Sequence, residues 1–299
     1  MSAIPAVQGT LAAPAAQRSA SSPWQRFWRR ALRNPQGIAG GILVLLFALT
    51  ALAGPFAAPY LPTSMTISKR LAPPGGQFIL GSDDFGRDIL SRILYGAGAS
   101  FEVGIFSVAL SLVAGTALGV LAGYRGGWVD TWLMSAMDVI FAFPAVLLAI
   151  AIMAVLQQSL NNVILAIGVV NLPVFVRLAR GSVLAIRNLP YIESARSVGV
   201  PDLVIAVRHT LPNIMAPMIV QSSLTVAAAI LTEASLSFLG LGNPPPAPSW
   251  GNMLASGYQF METSPWPSIV PGAAIMLAVL GFNLMGDGLR DALDPTSRD

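Results

Sequence analysis

Long apolar runs separated by short polar stretches set the pattern of this chain. Runs long enough to cross a hydrocarbon layer about 30 Å thick occur near 37–57, 99–123, 133–156, 162–184, 214–239 and 268–289. Their length and few charges predict six transmembrane helices in an all-α polytopic membrane protein. Residues 1–36 are rich in Ala, Ser and Pro and read as a tail. Within that tail, Trp24, Phe27 and Trp28 alternate with Arg26, Arg29 and Arg30, predicting a short interfacial helix. Ala51-Leu52-Ala53 has the small-residue form of a cleavage site, but the basic region before it is too long for a signal peptide. The first run is therefore read as an uncleaved span.

Residues 58–97 form the first long polar segment. Asp83 and Arg87, and Asp88 and Arg92, stand four apart with the acid first, while Ile89, Leu90, Ile93 and Leu94 line another face. That spacing predicts an amphipathic helix over 81–96, lying on the membrane surface. A catalytic carboxylate pair is disfavoured, because adjacent arginines hold acids ionised. Residues 98–295 then form a five-helix core, with a loop at 185–213 and a short tail at 296–299. Gly115, Gly119 and Gly123 recur every four residues, a spacing that permits close helix approach within the chain. Pro244-Pro245-Pro246 stiffens the segment between the last two spans.

The loop at 185–213 is too polar to insert and too patterned to be an idle linker. Pro190 suits the first turn of a helix, where a missing N–H costs nothing. Gly199 stands where a left-handed residue would end that helix, about ten residues or 15 Å on. A second helix starts near Pro201, with Asp202 in its first turn, and is expected to stop before Pro212.

Composition agrees with the pattern. The 299 residues are 54% hydrophobic and 10% charged, with mean hydropathy +0.67, whereas soluble domains carry about 25% charged residues. The net charge of +3 reflects arginines flanking apolar runs, so nucleic acid is not the implied partner. With the N-terminus inside, thirteen basic residues lie on the cytoplasmic side, and only Lys69, Arg70, Arg87 and Arg92 lie outside. That bias predicts cytoplasmic termini and a cytoplasmic 185–213 loop. There is no cysteine and no glycine-rich loop before Lys69, the single lysine, so neither thiolate chemistry nor a phosphate-binding loop is available. Asp138 and Glu233 are carboxylates inside apolar runs. Each either faces a translocation path or is paired within the bundle. For Asp138, near an inner span end, pairing with an arginine or with backbone at the span's end is preferred; for Glu233 the two readings stand level. An ion-gradient transporter using either acid is the alternative, although inverted repeats and broken helices are not evident.

The 185–213 loop resembles the cytoplasmic coupling loop of binding-protein-dependent ABC importer permeases. Glu193, Ala195, Gly199, Leu211 and Pro212 fall at the matching positions, while Ser194 and His209 depart from the usual Ala and Ile. Gly81–Gly96, Ile230–Gly242 with Pro248–Gly251, and Phe282–Pro295 are similar to signatures of C-type subunits of the dipeptide, oligopeptide and nickel permeases. The resemblance covers about 37–295 and implies a type I importer fold in a bacterial or archaeal inner membrane. It further implies a homologous B-type permease partner, two cytoplasmic ATPase subunits or domains holding ATP and Mg, and an extracytoplasmic solute-binding protein. In that scheme Glu193, Ser194, Ala195, Gly199, His209, Leu211 and Pro212 contact the ATPase. Asp138 and Glu233 are candidates for the path. No enzymatic activity is expected of the chain itself.

Overall fold

Ten α-helices account for most of the structure, a computed structural model that describes residues 33–293. They are α1 Pro35–Ala57, α2 Ile89–Arg125, α3 Gly127–Phe141, α4 Ala145–Val155, α5 Leu160–Ile186, α6 Pro190–Ser197, α7 Asp202–Ile205, α8 Leu211–Phe238, α9 Trp250–Tyr258 and α10 Trp266–Leu293. The aromatic and basic residues expected to form an interfacial helix at 24–30 lie outside the described residues. Four unbroken helices, the continuous run Asp202–Phe238 and nothing else among the described residues are singly long and apolar enough to cross a membrane. The pair α3 and α4 supplies a sixth, broken span with a 91° bend. Pro144, the residue before α4, causes the break: it lacks an N–H and forces an extended conformation at the junction. The third span is thus two helices rather than the single run expected.

The centre is the pairing of α2 with α5. One face of α2 is made of small residues, Ser100, Gly104, Ser107, Ser111, Gly115, Gly119 and Gly123, all buried. A Cβ on Gly115 would stand 2.6 Å from Phe175 Cβ, and one on Gly119 would meet the Val176 carbonyl and lie 2.7 Å from Ala179 Cβ. The two backbones approach so closely that only glycine fits. In lipid, where tails are as apolar as leucine, such packing replaces the hydrophobic drive between helices. Helix α8 packs on α2 and α5; α10 packs on α8, and α1 covers α10 and α2. Helix α1 leaves Leu45, Leu46, Leu49 and Leu52 exposed along the opposite face, as suits lipid contact.

Two polar segments depart from expectation. Residues 81–88 are a folded loop, and the helix begins only at Ile89, running unbroken into the second span. Asp83 captures the chain here: Oδ1 accepts from the backbone N–H of Phe85 and of Arg87, each at 2.9 Å. A side chain that binds its neighbours' N–H groups competes with a helix for them. Gly86, at φ +70, lies so close to the Thr66 carbonyl that any Cβ would collide. The Asp83–Arg87 pair forms at 2.6 Å, but across a turn. Asp88 caps α2 through Ser91 N at 2.8 Å, while Arg92 turns to Asp83 and the Pro62 carbonyl instead. Burial, aided by the charge of Asp83, pushes the Asp84 carboxyl above its ordinary range. Further along, the segment 240–265 contains α9, capped by Ser249, whose Trp250 lies over Gly96 and donates Nε1–H to the Ile93 carbonyl at 3.0 Å.

The glycine seam makes a direct test. Gly119→Val is expected to lower the melting temperature of the detergent-purified chain by an overpacking cost of about 1–3 kcal/mol. Gly41→Ala, with open space around its Cβ position, should leave it unchanged or slightly higher. Equal melting temperatures for the Gly119→Val and parent proteins would refute the close approach.

Candidate functional site

Between α5 and α8 the chain builds a compact polar projection. Helix α6 opens on Pro190 and closes in a Schellman motif: Val200 N–H bonds the Ala195 carbonyl at 3.1 Å, and Gly199 N–H bonds the Arg196 carbonyl at 2.9 Å. Gly199 takes φ +81, a conformation that strains any residue with a Cβ, and a Cβ there would point into open space. The helix has eight residues, with Ile192 fully buried beneath it as its anchor. Glu193, Ser194 and Val198 face outward. The Ser194 hydroxyl donates to the Pro190 carbonyl at 2.8 Å, and Ser197 to Glu193 at 2.9 Å, keeping both side chains close to their own helix.

Pro212 does not stop the second helix. Residues 206–210 form one wide π turn, in which Leu211 N–H reaches back to the Ala206 carbonyl, and α8 continues directly. The wider turn makes room for a proline that has no N–H and would crowd the carbonyl four residues back. Leu211 and His209 are half-buried and Pro212 is exposed, so these residues sit at the root of α8 rather than on the tip with Glu193. The sequence placed them in one patch; the structure divides them between tip and root.

Three contacts hold the projection to the bundle, and a fourth braces it internally. Tyr124, at the end of α2, hydrogen-bonds the buried Thr210 hydroxyl. The Arg196 guanidinium lies 5.9 Å from the Tyr124 ring, and its Nε is 3.5 Å from Asp202. At the end of α5, Arg187 donates to the Gly123 carbonyl at 3.0 Å. Beside them an apolar groove of about 730 Å³ separates α2 from residues 202–215. Tyr124 and Thr210 were not singled out from sequence. The aromatic residue closing the glycine-rich α2, just before a Gly-Gly turn, was the available signal.

The two intramembrane acids differ sharply. Asp138, on α3, pairs with Arg177 of α5, whose guanidinium lies 4.2 Å from the Phe141 ring centre. Glu233 is 1% exposed. Ser100 donates to its Oε2 at 3.0 Å and Ser237 to its Oε1 at 2.7 Å, so the carboxyl ties α2 to α8 inside the bundle. The structure therefore places Glu233 within this chain's own packing and Asp138 at its surface, and does not bring the two together.

A six-span bundle carrying a compact polar projection between its fourth and fifth spans fits a membrane permease. Residues 115–299 match the model of the binding-protein-dependent transport system inner membrane component, and residues 22–74 match that of the N-terminal membrane domain of oligopeptide transport permease C. The chain is 45% identical over 282 residues to a dipeptide transport system permease protein of Alkalihalophilus pseudofirmus, covering 94% of this chain and 93% of that one. It is 46% identical over 279 residues to a glutathione transport system permease protein of Pectobacterium atrosepticum, with 93% of each chain covered. A di/tripeptide permease protein of Pseudomonas aeruginosa is 44% identical over 280 residues, 92% of each chain. The chain belongs to this family and is a C-type permease subunit of an ABC importer, a multi-pass inner-membrane protein. Membership also sets aside the ion-gradient alternative.

The enclosure of Glu233 generates a prediction. Glu233→Gln keeps the size, its carbonyl accepting from one serine hydroxyl and its amide N–H donating to the oxygen of the other, and should change the melting temperature little. Glu233→Leu strands two buried hydroxyls, at about 1–3 kcal/mol each, and should lower it by several degrees. A wall of the path would behave otherwise: Gln would abolish transport at unchanged stability.

Proposed function

We propose that this chain forms one half of the membrane path of an importer for short peptides or glutathione-like solutes. Its termini and α6 would lie in the cytoplasm. The three relatives described above carry names for dipeptide, glutathione and di/tripeptide transport, and the solute class rests on that likeness. The orientation is supported by the basic residues, thirteen of seventeen of which then lie in cytoplasmic segments or toward the inner ends of spans. A homologous B-type permease supplies the other half of the path in this reading. Two ATPase subunits or domains hold ATP and Mg, and an extracytoplasmic solute-binding protein delivers the cargo.

The observation that carries the mechanism is the Schellman-closed α6, exposed at its tip and anchored at Ile192. A short helix with both ends fixed moves as a unit, because packed elements transmit a displacement rather than absorb it. Movement of an ATPase groove gripping α6 would pass through Arg196, Tyr124 and Thr210 to the inner ends of α2 and α8. It would reach α5 through Arg187. These are the helices of the central packing, so the projection connects to the part of the bundle that must reopen for alternating access.

Gly199 tests this coupling. Gly199→Val forces a β-branched residue to φ +81, at about 1–3 kcal/mol, without a clash. The variant should insert and express normally, yet in proteoliposomes solute uptake and binding-protein-stimulated ATP hydrolysis should fall about tenfold, the factor given by 1.4 kcal/mol. Gly199→Asn, which tolerates the left-handed region, should retain most activity, as should Gly181→Val in α5. Gly126 is unsuitable as a control, since it too has positive φ. Normal uptake by Gly199→Val would refute the role of α6.

A further inference from the structure

Two ion pairs join α3 to α5, and they are not alike. Asp130 and Arg180 form a bidentate pair with side chains 18% and 32% exposed. Asp138 and Arg177 form the other, with side chains 63% and 47% exposed. Among the described residues, Arg177 gives one side-chain hydrogen bond, Nη2 to Asp138 Oδ1. Asp138 Oδ2 and the remaining Arg177 donors are open.

Depth makes this exposure informative. Helix α5 has 27 residues, about 40 Å at 1.5 Å per residue. Arg177 stands nine residues before its inner end, about 14 Å along the axis. A hydrocarbon layer of about 30 Å centred on α5 puts the Arg177 backbone about 8 Å within its inner boundary. Charges at that depth face a bundle interior or a water-filled cavity, not lipid. The open side of this pair is therefore turned toward water or protein. The Arg177 guanidinium lies over the Phe141 ring, 4.2 Å from its centre, so that ring and the Asp138 carboxylate together position the fork.

We propose that Asp138 and Arg177 line the translocation path and read the two ends of a zwitterionic solute, the carboxylate taking its ammonium group and the guanidinium its carboxylate. This rests on the peptide-importer reading and narrows it. Dipeptides and glutathione, unlike as they are, share a free ammonium and a free carboxylate. One acid and one bidentate donor side by side match that shared feature and no particular side chain. The station would accept either solute class and reject a peptide with both ends blocked.

The absence of cysteine from this chain provides the test. Ala142→Cys places a thiol one turn from Asp138, at an exposed position. In the assembled complex in nanodiscs, without binding protein, a charged methanethiosulfonate should label this chain. Ala-Ala or S-methylglutathione should slow labelling about tenfold, as expected for loss of about 1.4 kcal/mol, while N-acetyl-Ala-Ala-amide should not slow it. Adding Asp138→Asn or Arg177→Gln should remove the protection, read for each variant as the ratio of its own labelling rates with and without solute. An unreactive thiol would overturn the proposal by placing this face against lipid or a partner subunit. Protection by the blocked peptide, or protection that survives both substitutions, would overturn it equally. Failure of the underlying reading looks different: the unsubstituted complex would then take up neither Ala-Ala nor S-methylglutathione.

Discussion

The close approach of α2 and α5 is the constraint on which the rest of the structure depends. Gly115, Gly119 and Gly123 let the α5 backbone settle where a methyl group would not fit. Ser111 extends the contact upward, 2.8 Å from the Gly168 carbonyl. With that pair fixed, α8 packs on α2 through Gly104, whose Cβ position lies 3.1 Å from Ile230, and through the carboxyl of Glu233. Helices α1 and α10 then close one side in the same fashion, with Gly37 against Gly288 and Gly40 against the backbone of Leu284 and Met285. Small residues, rather than large apolar ones, carry the architecture throughout, as expected where lipid competes equally for leucine.

The same pair also organises the end of the bundle that carries α6. The ends of α2 and α5 come together where Arg187 meets the Gly123 carbonyl. One residue further, Tyr124 reaches Thr210 in the wide turn that starts α8. The projection carrying α6 is thus rooted on the close α2–α5 contact. An apolar groove beside it leaves residues 202–215 unpacked against α2 over part of their length. Firm attachment at one point and open space beside it is the arrangement of a joint, and it lies between the membrane core and the exposed helix.

Much of this was legible in the sequence because it depends on local chemistry. Six apolar runs gave the spans, Pro190 and Gly199 gave the limits of α6, and the glycine spacing gave a close contact. What failed depended on competition between local and distant partners. Four-residue spacing of Asp83 and Arg87 fits a helix equally well as a turn, and the turn wins because Asp83 takes backbone N–H groups and Gly86 must pass Thr66. Pro144 and Pro212 look alike as helix breakers. One produces a 91° bend and the other is absorbed by a π turn, a difference decided by surrounding packing. The partners of Glu233 stand 133 residues away and one turn ahead, and only the first required the fold to be known. For Asp138 the sequence left an arginine or span-end backbone as partner; Arg177 is the one present, and the exposure of the pair was not readable from spacing.

The central claim is that the exposed tip of α6 meets a cytoplasmic ATPase. Val198, 79% exposed beside Gly199, is the position from which to ask. A photocrosslinking phenylalanine derivative at residue 198, irradiated in intact cells and identified by mass spectrometry, reports the neighbour of the tip directly. The account predicts an adduct with an ATPase subunit that is lost when the same derivative replaces Leu45 on the lipid-facing side of α1. An adduct with the extracytoplasmic solute-binding protein at residue 198 would contradict it, inverting the orientation and removing α6 from the path of coupling.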